Sequence, residues 1–288
     1  MPDSISIRDV GPRDGLQPEE PLAVEQRVAL VASLAAAGVV DIEVAAFVSP
    51  AAVPAMAGAA EVCRSLERSA GVRHWALVPN VRGANDAVAA GVDAITVTVS
   101  ASETYSQANV KRSTEDSVAG VADIVRAAGD LEVDTVISCA FGSPYDEQIG
   151  PFDVAAIVEQ VREAGSTHVT LADTTGIATP ERIADVVTAV GPDVRLHLHD
   201  TRGTALANAF AALLLGVTAF DTAVGGLGGS PFAAGAGGNL ATEDLVHLCD
   251  GLGIDTGIDL SAMVGVATTV SGLIGRPVPS RVTATLGA

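Results

Sequence analysis

Two histidines separated by one residue stand in the run Arg195-Leu-His-Leu-His-Asp200. Side chains on a β-strand alternate faces, so His197 and His199 point one way and Leu196 and Leu198 the other. A pair of imidazoles on one strand face makes half of a metal site, whereas a lone histidine there reads as a satisfied core residue. Carboxylates are at hand to complete the set. Asp14 lies in Val10-Gly-Pro-Arg-Asp-Gly-Leu-Gln17, at the end of the first strand, Glu43 in Asp41-Ile-Glu-Val44, and Asp173 in Leu171-Ala-Asp-Thr-Thr-Gly176. Imidazole and carboxylate oxygen without thiolate favour a divalent ion such as Mg2+, Mn2+ or Co2+ in octahedral geometry over structural zinc. Each acid could instead cap a strand end or neutralise a cation, Glu43 and Asp173 more readily than Asp14. Arg13 precedes Asp14 in a turn rich in Gly and Pro, and Arg-Asp-Gly alone is a common surface turn.

A second chemical signal is the glycine-rich stretch from Val224 to Asn239, with glycines at 225, 226, 228, 229, 235, 237 and 238. Such a segment can cradle a phosphate on its N–H groups or close over a site and exclude water. A helix start follows directly in Asn239-Leu-Ala-Thr-Glu-Asp-Leu245, which argues against a linker. Asn239 offers either an amide oxygen near a metal or an N-cap to that helix.

Positioning these groups falls to a regular alternation of short β-rich and longer Ala-rich runs. Strands are predicted at 4–10, 40–47, 74–79, 94–100, 134–141, 168–173, 195–199 and 219–224. Helices are predicted at 24–37, 114–128, 154–164, 180–190 and 204–215, several stopping at a glycine such as Gly38, Gly165 or Gly216. Pro180 opens its helix behind Thr179, a suitable N-cap. Strand–helix alternation implies parallel strands with helical crossovers, and eight strands are the number that closes a (β/α)8 TIM barrel. An open doubly wound sheet is the competitor, but no GxGxxG follows the first strand, which speaks against a nucleotide cofactor. No linker interrupts the pattern, so residues 1–288 read as one catalytic domain, with a further helix and capping segment after about Asp259. In a parallel barrel the active site lies at the C-terminal ends of the strands, where the residues above fall.

Composition removes several function classes. Thirty-five acidic against sixteen basic residues give a net charge of −19, which argues against nucleic-acid backbones and anionic lipid as partners. Lys111 is the single lysine, and with Arg112 it forms one of the rare basic pairs open to a phosphate-bearing substrate. Hydrophobic residues make up 48% and aromatics only 3%, so the core must be built from Ala, Val, Leu and Ile. Cys63, Cys139 and Cys249 lack CxxC spacing, which fits a reducing cytoplasm and no disulfide framework. The first residues show no signal-peptide pattern, and no apolar run of membrane-spanning length appears.

With these motifs in view the chain resembles the 3-hydroxy-3-methylglutaryl-CoA lyases, Asp-Arg-Glu-type TIM-barrel metallolyases. The match runs from Ile7 to about Leu260 and is carried by VGPRDGLQ at 10–17, FVSP at 47–50, SCAFGSPY at 138–145, LHLHDT at 196–201 and GNLATEDLV at 238–246. The resemblance implies a divalent cation, Mg2+ or Mn2+, held by Asp14, His197, His199 and Asn239. It implies Arg13 as the cation that meets an enolate, with Glu43 and Asp173 close behind or near the substrate, and Gln17 and Asn109 at the acyl-CoA-binding mouth. It also implies a homodimer and a place in leucine degradation or ketone-body formation. The family's glycine loop carries a cysteine where this chain has Ser230, and Ser143 stands where a cysteine can occur. A thiol exchanges protons near neutrality far more readily than a hydroxyl.

The implied reaction is a retro-Claisen cleavage of 3-hydroxy-3-methylglutaryl-CoA to acetyl-CoA and acetoacetate. Asp14 and His197 are the candidate bases for the tertiary hydroxyl, Arg13 meets the departing enolate, and Ser230 or a water it orders returns the proton. Two other readings stand beside it: a lyase for another branched 3-hydroxyacyl-CoA, and a silent barrel that only binds a ligand. The second leaves the set Arg13, Asp14, His197, His199 and Asn239 without a physical reason.

Overall fold

In a computed structural model of the chain, which describes residues 1–145, 148–229 and 238–287, eight strands alternate with helices. They are β1 (Ser6–Asp9), β2 (Asp41–Ala46), β3 (Arg73–Leu77), β4 (Ala94–Ser100), β5 (Glu132–Ser138), β6 (His168–Asp173), β7 (Arg195–Leu198) and β8 (Ala219–Thr222). Each pairs in parallel with the next, and β8 returns to β1, so the sheet closes into the expected TIM barrel. The helices are α1 (Val24–Ala36), α2 (Ala59–Ser65), α3 (Val81–Ala90), α4 (Glu103–Val110), α5 (Thr114–Ala119), α6 (Val121–Ala128), α7 (Pro151–Glu163), α8 (Pro180–Val190), α9 (Ala205–Leu214), α10 (Thr242–Leu252), α11 (Leu260–Ile274) and α12 (Arg281–Leu286).

Strand alternation sorts the sheet into two faces. Ile7, Ile42, Val44, Ile95, Val97, Ile137, Leu171, Leu196 and Phe220 are buried together with helix residues such as Leu30, Leu34, Ile183 and Val187. Each such side chain stabilises the fold by roughly 1.5–3 kcal/mol. The other face lines the barrel and is polar. Arg8 on β1 reaches Asp134 on β5, Thr170 on β6 and Asp221 on β8, and its guanidinium lies 4.9 Å from the Trp75 ring on β3. Only a side chain crossing the barrel axis can touch all four strands.

Several elements differ from the sequence reading. The helix expected over 114–128 divides into α5 and α6 at Gly120, which lacks the side chain that would favour continuing the turn. The helices α2, α3 and α4 were not anticipated; α3 and α4 begin at Asn80 and Ser102, whose side-chain oxygens accept the N–H of Gly83 and Tyr105. β1 stops at Asp9, so Asp14 lies in a wide helical turn (Gly11–Gly15) rather than on the strand. After Asp259, α11 and α12 close the far side. Asp244 ties down the start of α12 by accepting from Ser280 Oγ and the N–H groups of Arg281 and Val282.

Candidate active site

The strand β7 puts His197 inside the barrel, and His199, one residue past its end, forms an isolated antiparallel bridge with Asn239. The two rings meet edge-on with centroids 5.0 Å apart. Their Nε2 atoms each lie 3.9 Å from Asp14 Oδ2. Among the described residues, one ligand atom each from Asp14, His197 and His199 falls within 4.8 Å of the others. The opposite edge of each ring is already engaged: His199 Nδ1 faces the Thr174 carbonyl at 2.8 Å and His197 Nδ1 faces Asp221 Oδ2 at 3.3 Å.

Asn239 completes the group. Its Nδ2 donates to Asp14 Oδ2 and to the Leu227 carbonyl, both at 2.9 Å. Among the described residues its Oδ1 is buried without a hydrogen-bond partner, and so is Nε2 of His199. Buried polar atoms are rarely left bare, and these two sit beside an anionic carboxylate. The donors fit a hard divalent cation. Asn239 is not an N-cap: α10 begins at Thr242 behind Ala241. The glycines permit the approach, since a Cβ on Gly238 would lie 1.8 Å from the Gly226 carbonyl oxygen and one on Gly228 2.6 Å from Asn239 Nδ2.

Electrostatics keep Asp14 ready as an anion. Burial alone would push its carboxyl up, but the Arg13 charge and the two imidazoles outweigh this and hold it well below the usual range. Burial would likewise strip His199 of its proton, yet Asp14 beside it raises the ring's proton affinity. A cation and a proton therefore compete for the same nitrogen.

Arg13 is pinned from two sides. Its Nε donates to Glu43 Oε2 at 2.5 Å, and its Nη1 to Asp14 Oδ1 at 2.6 Å. Glu43 sits beside an irregularity in the β2–β3 register and takes a second hydrogen bond from Thr96 Oγ1 on β4. Three of the guanidinium's five N–H groups remain to serve a ligand.

The other expected residues fall farther out. Asp173 spends its oxygens on the N–H groups of Ile177 and Ala178, at 2.9 and 3.1 Å. It thereby shapes the loop that carries Thr174, one step removed from Asp14, His197 and His199. Gln17 is half-buried just past the Asp14 turn. Asn109 is exposed on α4, on a small cleft lined by Ser100, Tyr105 and Ser138. Ser143 shares a 3.0 Å hydroxyl contact with Ser102. Ser230 lies outside the described residues. Sequence reasoning missed Thr96, Asp221, Arg8 and the Thr174 carbonyl. A signal for the charged ones was present, since Arg8 and Asp221 each interrupt an apolar strand and such charges need a buried partner.

Comparison with known proteins follows the same lines. The HMGL-like family model matches residues 4–270. Over 98% of its length the chain is 41% identical to a 3-hydroxy-3-isohexenylglutaryl-CoA/hydroxymethylglutaryl-CoA lyase of Pseudomonas aeruginosa, covering 96% of that protein. It is 44% identical to an (R)-citramalyl-CoA lyase of Chloroflexus aurantiacus, over 97% of this chain and 94% of that one. The crystal structure of the Bacillus subtilis HMG-CoA lyase superposes with a TM-score of 0.97 at 36% identity, covering 100% of this chain and 99% of the other.

Proposed function

Because this chain belongs to the HMGL-like family, we propose that it is a metal-dependent carbon–carbon lyase that cleaves 3-hydroxy-3-methylglutaryl-CoA to acetyl-CoA and acetoacetate. The observation that carries the reading is the convergence of Asp14, His197, His199 and the orphaned Asn239 Oδ1 beside a guanidinium held by Glu43. Asp14, His197, His199 and Asn239 would hold Mg2+ or Mn2+, which supplies Lewis-acid polarisation of the substrate's oxygens when bound.

The chain's own groups account for the rest. The tertiary hydroxyl gives its proton to a base, for which Asp14 and His197 are the candidates. His197 turns Nδ1 to Asp221 and Nε2 to the cation site and has no lone pair left for it, whereas the Asp14 carboxylate has a second oxygen. The alkoxide's electron pair forms the ketone of acetoacetate as the carbon–carbon bond breaks, and the bonding pair passes to the acetyl-CoA enolate. Arg13 meets the enolate oxygen with N–H groups that Glu43 and Asp14 leave free, so its charge is in place before it is needed. A proton then returns to carbon, a task assigned on sequence grounds to Ser230 or a water it orders. Gln17, Asn109 and the Lys111–Arg112 pair are the substrate contacts in this reading. Residues 1–288 form one catalytic unit in it, and the buried free cysteines suit a reducing cytoplasm.

The 44% identity to an (R)-citramalyl-CoA lyase favours a second reading, in which another branched 3-hydroxyacyl-CoA is cleaved by the same chemistry. Steady-state rates of acetyl-CoA release from both thioesters with Mg2+ or Mn2+ distinguish the two. The larger kcat/KM is expected for 3-hydroxy-3-methylglutaryl-CoA; a preference for citramalyl-CoA moves the assignment, and no release from either ends it.

A further inference from the structure

We propose that Asp221, held in place by Arg8, is a positioning residue for His197: it dictates which ring nitrogen carries the proton and aims the other at the Asp14 site. The proposal rests on the reading that Asp14, His197, His199 and Asn239 hold a divalent cation.

The three residues lie side by side across the seam that closes the barrel, with Asp221 on β8 in register with both Arg8 on β1 and His197 on β7. Arg8 grips the carboxylate with two hydrogen bonds, Nε to Oδ1 at 2.9 Å and Nη2 to Oδ2 at 2.8 Å. Such a fork fixes the orientation as well as the charge of the acceptor. Arg195 Nη1 adds a further cation 3.7 Å from Oδ1. The His197 Nδ1 atom lies 3.3 Å from Oδ2. An ionised carboxylate can only accept, so Nδ1 must donate, and in the neutral ring Nε2 is then the bare nitrogen. That nitrogen is the one turned toward Asp14. On His199 the same job falls to the Thr174 carbonyl, also an obligate acceptor, at 2.8 Å from Nδ1. Both imidazoles are thus held by the edge that faces away from Asp14.

Stability gives no sufficient reason for the pair. Arg8 and Asp221 are almost wholly buried, where desolvation cancels much of an ion pair's attraction and a well-packed aliphatic set would serve as well. Barrel interiors are ordinarily filled by branched aliphatic side chains. A carboxylate behind a metal-ligating histidine typically changes metal affinity by about 10–100-fold when removed.

The direct test is the tautomer of His197 in apoprotein labelled with 15N-histidine, read at pH 8 by long-range proton–nitrogen correlation and assigned with a His197→Gln variant. The unmutated protein is expected to show the Nδ1–H form; an Nε2–H form overturns the proposal, and this reading requires no folded Asp221 variant. Asp221→Leu removes the acceptor at similar volume, and the dissociation constant for Mn2+, followed by the paramagnetic resonance of the free ion, is expected to rise about 10–100-fold. Asp134→Leu is the control, because it strips Arg8 of its other carboxylate without touching His197. It should lower the melting temperature and leave both tautomer and Mn2+ affinity unchanged. Equal weakening of Mn2+ binding by the two variants would reduce Asp221 to a structural role. Failure of the unmutated protein to bind Mn2+ would defeat the functional reading instead, while the tautomer would still decide this one.

Discussion

Replacing Arg13 by methionine removes the one group assigned to meet the enolate and keeps most of its length. The guanidinium has five N–H groups, and Glu43 and Asp14 occupy one each. A single positioned donor to a developing oxyanion is worth about 2.7–4 kcal/mol, or 10²–10³ in kcat, so Arg13→Met is expected to cost at least that factor. The Michaelis constant should move by no more than a few-fold, because the enolate charge exists only on the way to products. Metal binding should hold or tighten, since a cation 2.6 Å from the Asp14 carboxylate is removed. The cost in folding is separate: Glu43 is left buried with Thr96 but without its cation, a loss on the order of 3 kcal/mol. The assay is acetyl-CoA release at saturating metal, with a thermal melt to establish that the variant is folded. Turnover kept within tenfold, or a loss carried wholly by the Michaelis constant, would refute the assigned role.

Three further outcomes are expected. Apoprotein should bind one Mn2+ per chain more tightly as pH rises from about 6 to 8, because the proton that Asp14 favours on His199 must leave; an affinity independent of pH in a resonance titration would contradict this. Ser230→Cys should raise turnover of 3-hydroxy-3-methylglutaryl-CoA and create sensitivity to thiol alkylation, since the three native cysteines are buried; a variant with unchanged rate and full resistance to iodoacetamide contradicts it. Burial pushes the Glu243 carboxyl up to about 8 despite the hydrogen bonds it accepts from the Gly225 N–H and the Thr283 hydroxyl. A carboxyl raised on folding stabilises the protonated native state below its unfolded value and loses that contribution as pH rises toward the folded one. Stability should therefore fall by about 1.4 kcal/mol per pH unit from this group between pH 5 and 8, and Glu243→Gln should flatten that slope in thermal melts at several pH values.

Much of the barrel was legible because period-two strands and Ala-rich helices alternate with glycine stops, and two strands, 94–100 and 168–173, match the expected bounds throughout. The ends of the others were not, since a strand's last residues are decided by which neighbour they pair with. Asp14 illustrates the limit: the sequence places it at the end of the first strand, whereas it lies in the helical turn Gly11–Gly15 that follows β1. His197 and His199 were legible from spacing alone. Asn239 was left between ligand and cap, and only the packing of Gly228 and Gly238 around it decides where its amide points. Thr96 and Asp221 carried no motif, because a contact between β2 and β4 or between β7 and β8 exists only once the barrel closes.

If the protein cleaves a carbon–carbon bond in an acyl-CoA with a divalent metal, incubation with 3-hydroxy-3-methylglutaryl-CoA and Mg2+ must yield acetyl-CoA and acetoacetate, which mass spectrometry counts. Equal amounts of the two products are predicted, abolished by EDTA and restored by excess Mg2+ or Mn2+. Free coenzyme A without acetoacetate, or equal product formation in the chelated sample, would contradict it.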